Sequence, residues 1–141
     1  MNSAAAVATA AVFVWLGMVL AISFLEAPLK FRAPDVTVRI GLGIGRIVFR
    51  ALNTAEAVLA VVLVAALVAD VPARRVVVAA AIAVLVLLVQ LALVRPRLTQ
   101  RSNRVLAGEE VPHSRGHVVY VGLEVVKIVA LLVTGILLLA L

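Results

Sequence analysis

Two glutamates and a lysine stand inside long, predominantly apolar stretches of this chain: Glu56, Glu124 and Lys127. Ionisable groups in hydrocarbon cost about 2.5–3.5 kcal/mol each on insertion scales, so they need partners or a use. His117, Tyr120, Glu124 and Lys127 are separated by three, four and three residues, which on a helix puts them on one face. Arg46, Phe49, Asn53 and Glu56 have the same spacing earlier in the chain. Two such stripes have the geometry of seams facing each other inside a bundle. Gln90 and Glu26 bring polar groups from two further segments. The chemistry open to such a set is ion pairing, proton sharing, and the binding of a small polar, amphipathic or cationic ligand. Glu124 and Lys127, at i and i+3, can pair directly. Glu56 then needs Arg46 or Arg50, a proton, a bound cation or a ligand's positive group. Two close carboxylates can also share one proton. The same residues can equally be read as a network that only fixes helix register.

Other chemistries have less to stand on. The chain has no cysteine, which excludes disulfides, thiolate metal sites and thiol nucleophiles. His113 and His117 are four apart, but Pro112 makes His113 a helix-start residue at best. Two histidines fall short of a metal ligand set, so no metal site is expected. The run Gly41-Leu42-Gly43-Ile44-Gly45 lacks the preceding strand of a nucleotide site. Gly41 and Gly45 read better as a small-xxx-small helix contact. Trp15, mid-span rather than in an interfacial belt, reads as packing or as a lipid-facing anchor.

The elements that must position these residues are membrane spans. Of 141 residues, 65% are hydrophobic and 14% charged, and the mean hydropathy is +1.24. A soluble domain of this size could not hide that much apolar surface. A helix needs about 20 apolar residues to cross the hydrocarbon. Ala4 to Leu25, Ile47 to Ala69, Val76 to Val94 and Val118 to Leu141 meet that need. The expected fold is therefore all-α: a single domain over residues 1–141, polytopic, with four transmembrane helices in a bundle at about 4–27, 38–70, 73–95 and 115–141. The runs lack the period-2 alternation of a membrane barrel. The first is read as a retained span, because Met1 to Val12 holds no basic residue and the run outlasts a signal h-region.

Charge sets the expected orientation. Lys30, Arg32, Arg39, Arg46 and Arg50 follow the first span, and Arg95, Arg97, Arg101, Arg104 and Arg115 separate the third from the fourth. The middle connection has only Arg74 and Arg75. The positive-inside rule then puts both basic connections in the cytoplasm and both termini outside, in the inner (plasma) membrane. The net charge of +6 is explained by arginines lying against anionic lipid headgroups, with no nucleic acid as partner. The polar residues fall in the cytoplasmic half of the spans and the outer half is aliphatic. This describes an intramembrane pocket open to the cytoplasmic leaflet and sealed beyond it. The connections add detail. Ala33-Pro34-Asp35 reads as a turn, and Val36 to Phe49 as an interfacial amphipathic helix. A shift of 68 residues lays Pro28 on Pro96 and Glu56 on Glu124, a faint parallel two-helix repeat.

Trp15-Leu16-Gly17 and Phe24-Leu25-Glu26-Ala27-Pro28-Leu29-Lys30-Phe31 carry a resemblance to bacterial four-span inner-membrane proteins of a domain-of-unknown-function group, which implies a fold but no activity. Within residues 46–56, Arg46, Arg50-Ala51, Asn53 and Glu56 resemble the second-helix pattern of the membrane-associated glutathione and eicosanoid enzymes, the MAPEG family. The arginine-to-asparagine spacing is one residue shorter here. The resemblance implies a cytoplasm-facing glutathione site between the subunits of a trimer. Three functions follow as expectations. One is ligand or ion binding and transport through Glu56, Glu124, Lys127 and Asn53. A second is a membrane enzyme holding a glutathione-type cosubstrate with Arg46, Asn53 and Glu56. The third is an accessory subunit of a membrane complex. No catalytic residue or cofactor is assigned. A homo-oligomer is expected, because four helices make a thin shell around so many polar groups.

Overall fold

Four long helices account for nearly all of the computed structural model, which describes residues 1–108 and 115–141: α1 (Ser3–Arg32), α2 (Val38–Ala69), α3 (Arg74–Leu106) and α4 (Arg115–Leu139). All four are long and apolar enough to cross a membrane. Their outward faces carry Val61, Val68, Leu85, Leu93, Val129 and Ile136, all exposed. Such a belt suits lipid and not water. The chain is a four-span integral membrane protein.

Small residues let these helices approach. Ala8, Ala11, Ala60, Ala79, Ala80 and Ala83 lie at the interfaces, around fully buried Val12, Leu63, Leu131 and Leu138. Inside lipid, such close packing replaces the hydrophobic drive that holds soluble bundles. Thr9 and Thr134 turn their hydroxyls back to the carbonyls of Ala5 and Ala130, so they leave no open polar group in this half. Asn2 hydrogen-bonds Asp70, which places the N-terminus beside the α2–α3 turn at one end. Both basic connections are therefore at the other end.

Helices α1, α2 and α3, at 30, 32 and 33 residues, run about 45–50 Å at 1.5 Å per residue. They overshoot a 30 Å hydrocarbon layer. The overshoot lies at the basic end. There α1 runs five residues past its expected end and α3 eleven past its own. The expected interfacial helix over Val36 to Phe49 is no separate element: it is the start of α2, capped by the Thr37 hydroxyl accepting from the Ile40 N–H. The expected turn at Ala33-Pro34-Asp35 is present, with Val36 N–H bonded to the Ala33 carbonyl and Asp35 at φ 66°. His113 and Pro112 lie outside the described residues.

Prolines 28 and 96 do not end their helices, and the reason is local. A proline inside a helix removes an N–H and crowds the carbonyl four residues back. Ahead of each one the helix widens to π pitch, over Leu20–Glu26 and Gln90–Val94. The residue before each proline donates five residues back, Ala27 to the Ile22 carbonyl and Arg95 to that of Gln90. These two bonds are related by the same 68-residue shift. So are buried positions: Ala8 with Val76, Ala11 with Ala79, Val12 with Ala80, Trp15 with Ala83, Leu63 with Leu131 and Thr134 with Ala66.

The two halves, α1–α2 and α3–α4, each pack as a tight pair, and α1 packs along α4. The contact that would mirror the last one, between α2 and α3, is slight along the spans. The bundle is closed on three sides and parted on the fourth.

Candidate functional site

Lys127 projects from α4 into the centre of the bundle, fully buried, and reaches both acids: Glu56 Oε1 of α2 at 2.6 Å and Glu124 Oε1 of its own helix at 2.5 Å. Glu56 lies 13 residues before Ala69 in α2, about 20 Å from that end, so the cluster sits in the basic half of the layer. Helix α3 supplies Gln90, whose amide oxygen accepts from Lys127 at 2.8 Å and whose NH2 donates to Glu124 at 3.2 Å. Helix α1 supplies Trp15, donating to Glu56 Oε1 at 3.1 Å, and Ser23, donating to Glu124 Oε2 at 2.6 Å. The stripes expected to face each other do so at Glu56, Glu124 and Lys127. Glu56 takes Lys127 as its partner, not Arg46 or Arg50. With both acids ionised the triad holds one net negative charge, which a single shared proton would cancel.

A cavity of about 1400 Å³ opens beside the triad, between α2 and the basic end of α3, with walls from the end of α1 and the start of α4. Its polar lining differs from that of the triad. Lys30, Arg46, Arg50, Arg95 and Arg101 face it, with Asn53, His117 and Tyr120. Glu124 is the one lining carboxylate among the described residues, and its oxygens are already engaged by Lys127, Gln90 and Ser23. Phe24, Phe31, Phe49, Leu42 and Leu91 supply apolar wall.

Phe49 is the hub of that wall. Arg95 lies over its ring with Cζ 4.9 Å from the centroid, and Lys30 Nζ approaches to 5.7 Å. Tyr120 meets the same ring edge-on at 6.2 Å, and its hydroxyl accepts from Arg95 at 3.0 Å. Two cations and a tyrosine from three helices thus converge on one ring of the fourth. Gly41 and Gly45, expected to bring helices together, instead receive side chains from the end of α1. A methyl group at Gly41 would run into the Phe31 ring, and one at Gly45 would stand 3.0 Å from Lys30 Nζ.

The expected site residues therefore divide into two sets. Glu56, Glu124, Lys127 and Gln90 form the triad and its supports. Arg46, Arg50, Asn53, Tyr120 and His117 line the cavity, and among the described residues the side chains of Arg46, Arg50, Asn53 and His117 carry no hydrogen bond or ion pair. Glu26 joins neither set: it turns to Lys30, at 3.9 Å. Sequence reasoning missed the roles of Trp15, Ser23, Lys30 and Arg95, and placed Phe49 on the facing stripe without a role. Trp15 had a usable signal, since a buried indole mid-span needs an acceptor for its N–H. No family model, curated protein or solved structure matches the chain. The site must be read from its own geometry. The half away from the basic connections, packed with Ala8, Val12, Leu63, Leu131 and Leu138, offers no polar route onward among the described residues.

Proposed function

We propose that this protein is a binding protein of the inner membrane that takes a small amphipathic ligand from the cytoplasmic leaflet into the cavity between α2 and α3. The observation that carries this reading is the lining: arginines and aromatic rings share one space that begins at lipid depth and ends among basic side chains. Apolar wall suits a ligand's tail and the cations suit its head. The triad supports the site from below. It ties α4 to α2, and through Gln90 and Ser23 to α3 and α1, so the parted bundle keeps its shape. Transport would require the sealed outer half to open. Binding with exchange at one face does not.

A second reading has one observation in its favour. Arg46, Arg50 and Asn53, which resemble glutathione-holding residues, all line this cavity, although Glu56 is drawn away to Lys127. One experiment serves both. Protein purified in a neutral detergent is incubated with dodecylphosphocholine or with glutathione and weighed by native mass spectrometry. The binding reading expects one saturable dodecylphosphocholine adduct, reduced at least tenfold in the cavity-filling variant Ala51→Trp. A glutathione adduct that disappears in Asn53→Ala would shift the case to the enzyme. If neither of these probes nor dodecyl phosphate binds saturably, the cavity has no ligand-binding role.

A further inference from the structure

We infer that the cavity's head-binding seat is specific for a phosphate group, held between Lys30 and Arg95 over the ring of Phe49, so that the ligand is a phosphorylated lipid. This inference rests on the cavity reading above and names its ligand class.

The seat is built from donors that lack acceptors. The Lys30 side chain is only 11% exposed, yet among the described residues its ammonium makes no hydrogen bond and its nearest carboxylate is that of Glu26 at 3.9 Å. Arg95 spends one nitrogen on the Tyr120 hydroxyl, while its Nε is buried without a partner. The Nε of Arg101 and the hydroxyl of Ser102, further along the same wall, are also buried and unpartnered. Buried donors are normally satisfied, and leaving one unmet is costly. An anion in the cavity that Lys30 and Arg95 both line would be met by the Lys30 ammonium and by the guanidinium of Arg95.

The charge balance points to phosphate rather than carboxylate. Lys30, Arg46, Arg50, Arg95 and Arg101 face the cavity. Against them, among the described residues, stand Glu26, beside Lys30, and Glu124, already held by Lys127. A single carboxylate would leave most of that surplus uncompensated. A phosphomonoester brings up to two charges and three oxygens, which suit a guanidinium fork and a point ammonium together. The ring of Phe49 holds both cations in place through its face. Around it, Phe24, Phe31, Leu42 and Leu91 offer wall for an apolar chain, which free phosphate would not use.

The test compares three probes on detergent-purified protein by native mass spectrometry: dodecyl phosphate, neutral octaethylene glycol dodecyl ether and inorganic phosphate. Lys30→Gln, Arg95→Gln and Arg95→Lys are compared with the wild type and with Arg74→Gln at the opposite end. Melting curves accompany each protein, and Arg95→Lys keeps the charge should a neutral variant fail to fold. The expected result is one dodecyl phosphate bound at least tenfold more tightly than either other probe. Each glutamine variant should lose tenfold or more, Arg95→Lys less, and Arg74→Gln nothing. If the neutral ether binds as well, insensitive to these substitutions but blocked by Ala51→Trp, the phosphate seat is wrong and the cavity reading stands. If inorganic phosphate binds as tightly as dodecyl phosphate, the lipid source is wrong. If nothing binds and Ala51→Trp changes nothing, the underlying reading falls as well.

Discussion

Replacing Lys127 by methionine would leave Glu56 and Glu124 facing one another with no counter-ion. Both carboxylates are within 2.6 Å of the ammonium, and all three groups are essentially fully buried. Breaking a buried ion pair from one side costs about 3–5 kcal/mol, whereas removing all the charges together is often nearly neutral. Lys127→Met is therefore expected to lower the unfolding free energy in detergent by that amount. The triple variant Lys127→Met, Glu56→Gln, Glu124→Gln should recover most of the loss. A single variant as stable as the wild type would mean that the triad does not hold the helices. These three residues were legible in the sequence because charge inside an apolar run is conspicuous and helical spacing assigns its face. Ser23 was not, because it is uncharged and ordinary in a span, and Trp15 was visible only as a mid-span indole whose N–H needs an acceptor. Lys30 and Arg95 are visible in the sequence but count there as charges of the connections, since the apolar runs stop before them.

That misreading belongs to the elements. The sequence contains the prolines but not the π turns ahead of them, which depend on which carbonyls the widened turn can satisfy. Because α1 and α3 continue, Lys30 and Arg95 are carried on rigid helix rather than on loops. The contact of α1 with α2 holds the first of them. Gly41 is buried beneath the Phe31 ring, and Gly45 faces Lys30. Alanine at 41 would gain about 1 kcal/mol of helix propensity. It would also drive a methyl group into the ring, an overpacking that costs about 1–3 kcal/mol. The expected outcome of Gly41→Ala is a net loss of stability in the wild type and a net gain in a Phe31→Ala background. A double-mutant cycle on thermal unfolding reads this directly. Additive effects would show that the ring does not rest on Gly41.

For the whole molecule, the 68-residue repeat that was faint in the sequence is clear in the structure, because symmetry survives in backbone bonds and buried positions rather than in residue identities. Trp15 and Ala83 share no chemistry, yet both are fully buried at equivalent places. The equivalence makes the site intelligible: two parallel hairpins meet along α1 and α4, and the mirror contact between α2 and α3 is parted to make the cavity. Parallel halves put both basic connections at one end, with the cavity. The positive-inside rule, applied to those connections, predicts that this end faces the cytoplasm. The chain has no cysteine, so single cysteines can report this without background. In intact cells a membrane-impermeant maleimide is expected to label Ser3→Cys, at the end joined by the Asn2–Asp70 contact, and to spare Asn103→Cys until the cells are opened. The reverse pattern would turn the cavity toward the outer leaflet. The seat for a phosphorylated lipid would then have to draw on that leaflet's lipids, whatever its affinity in detergent.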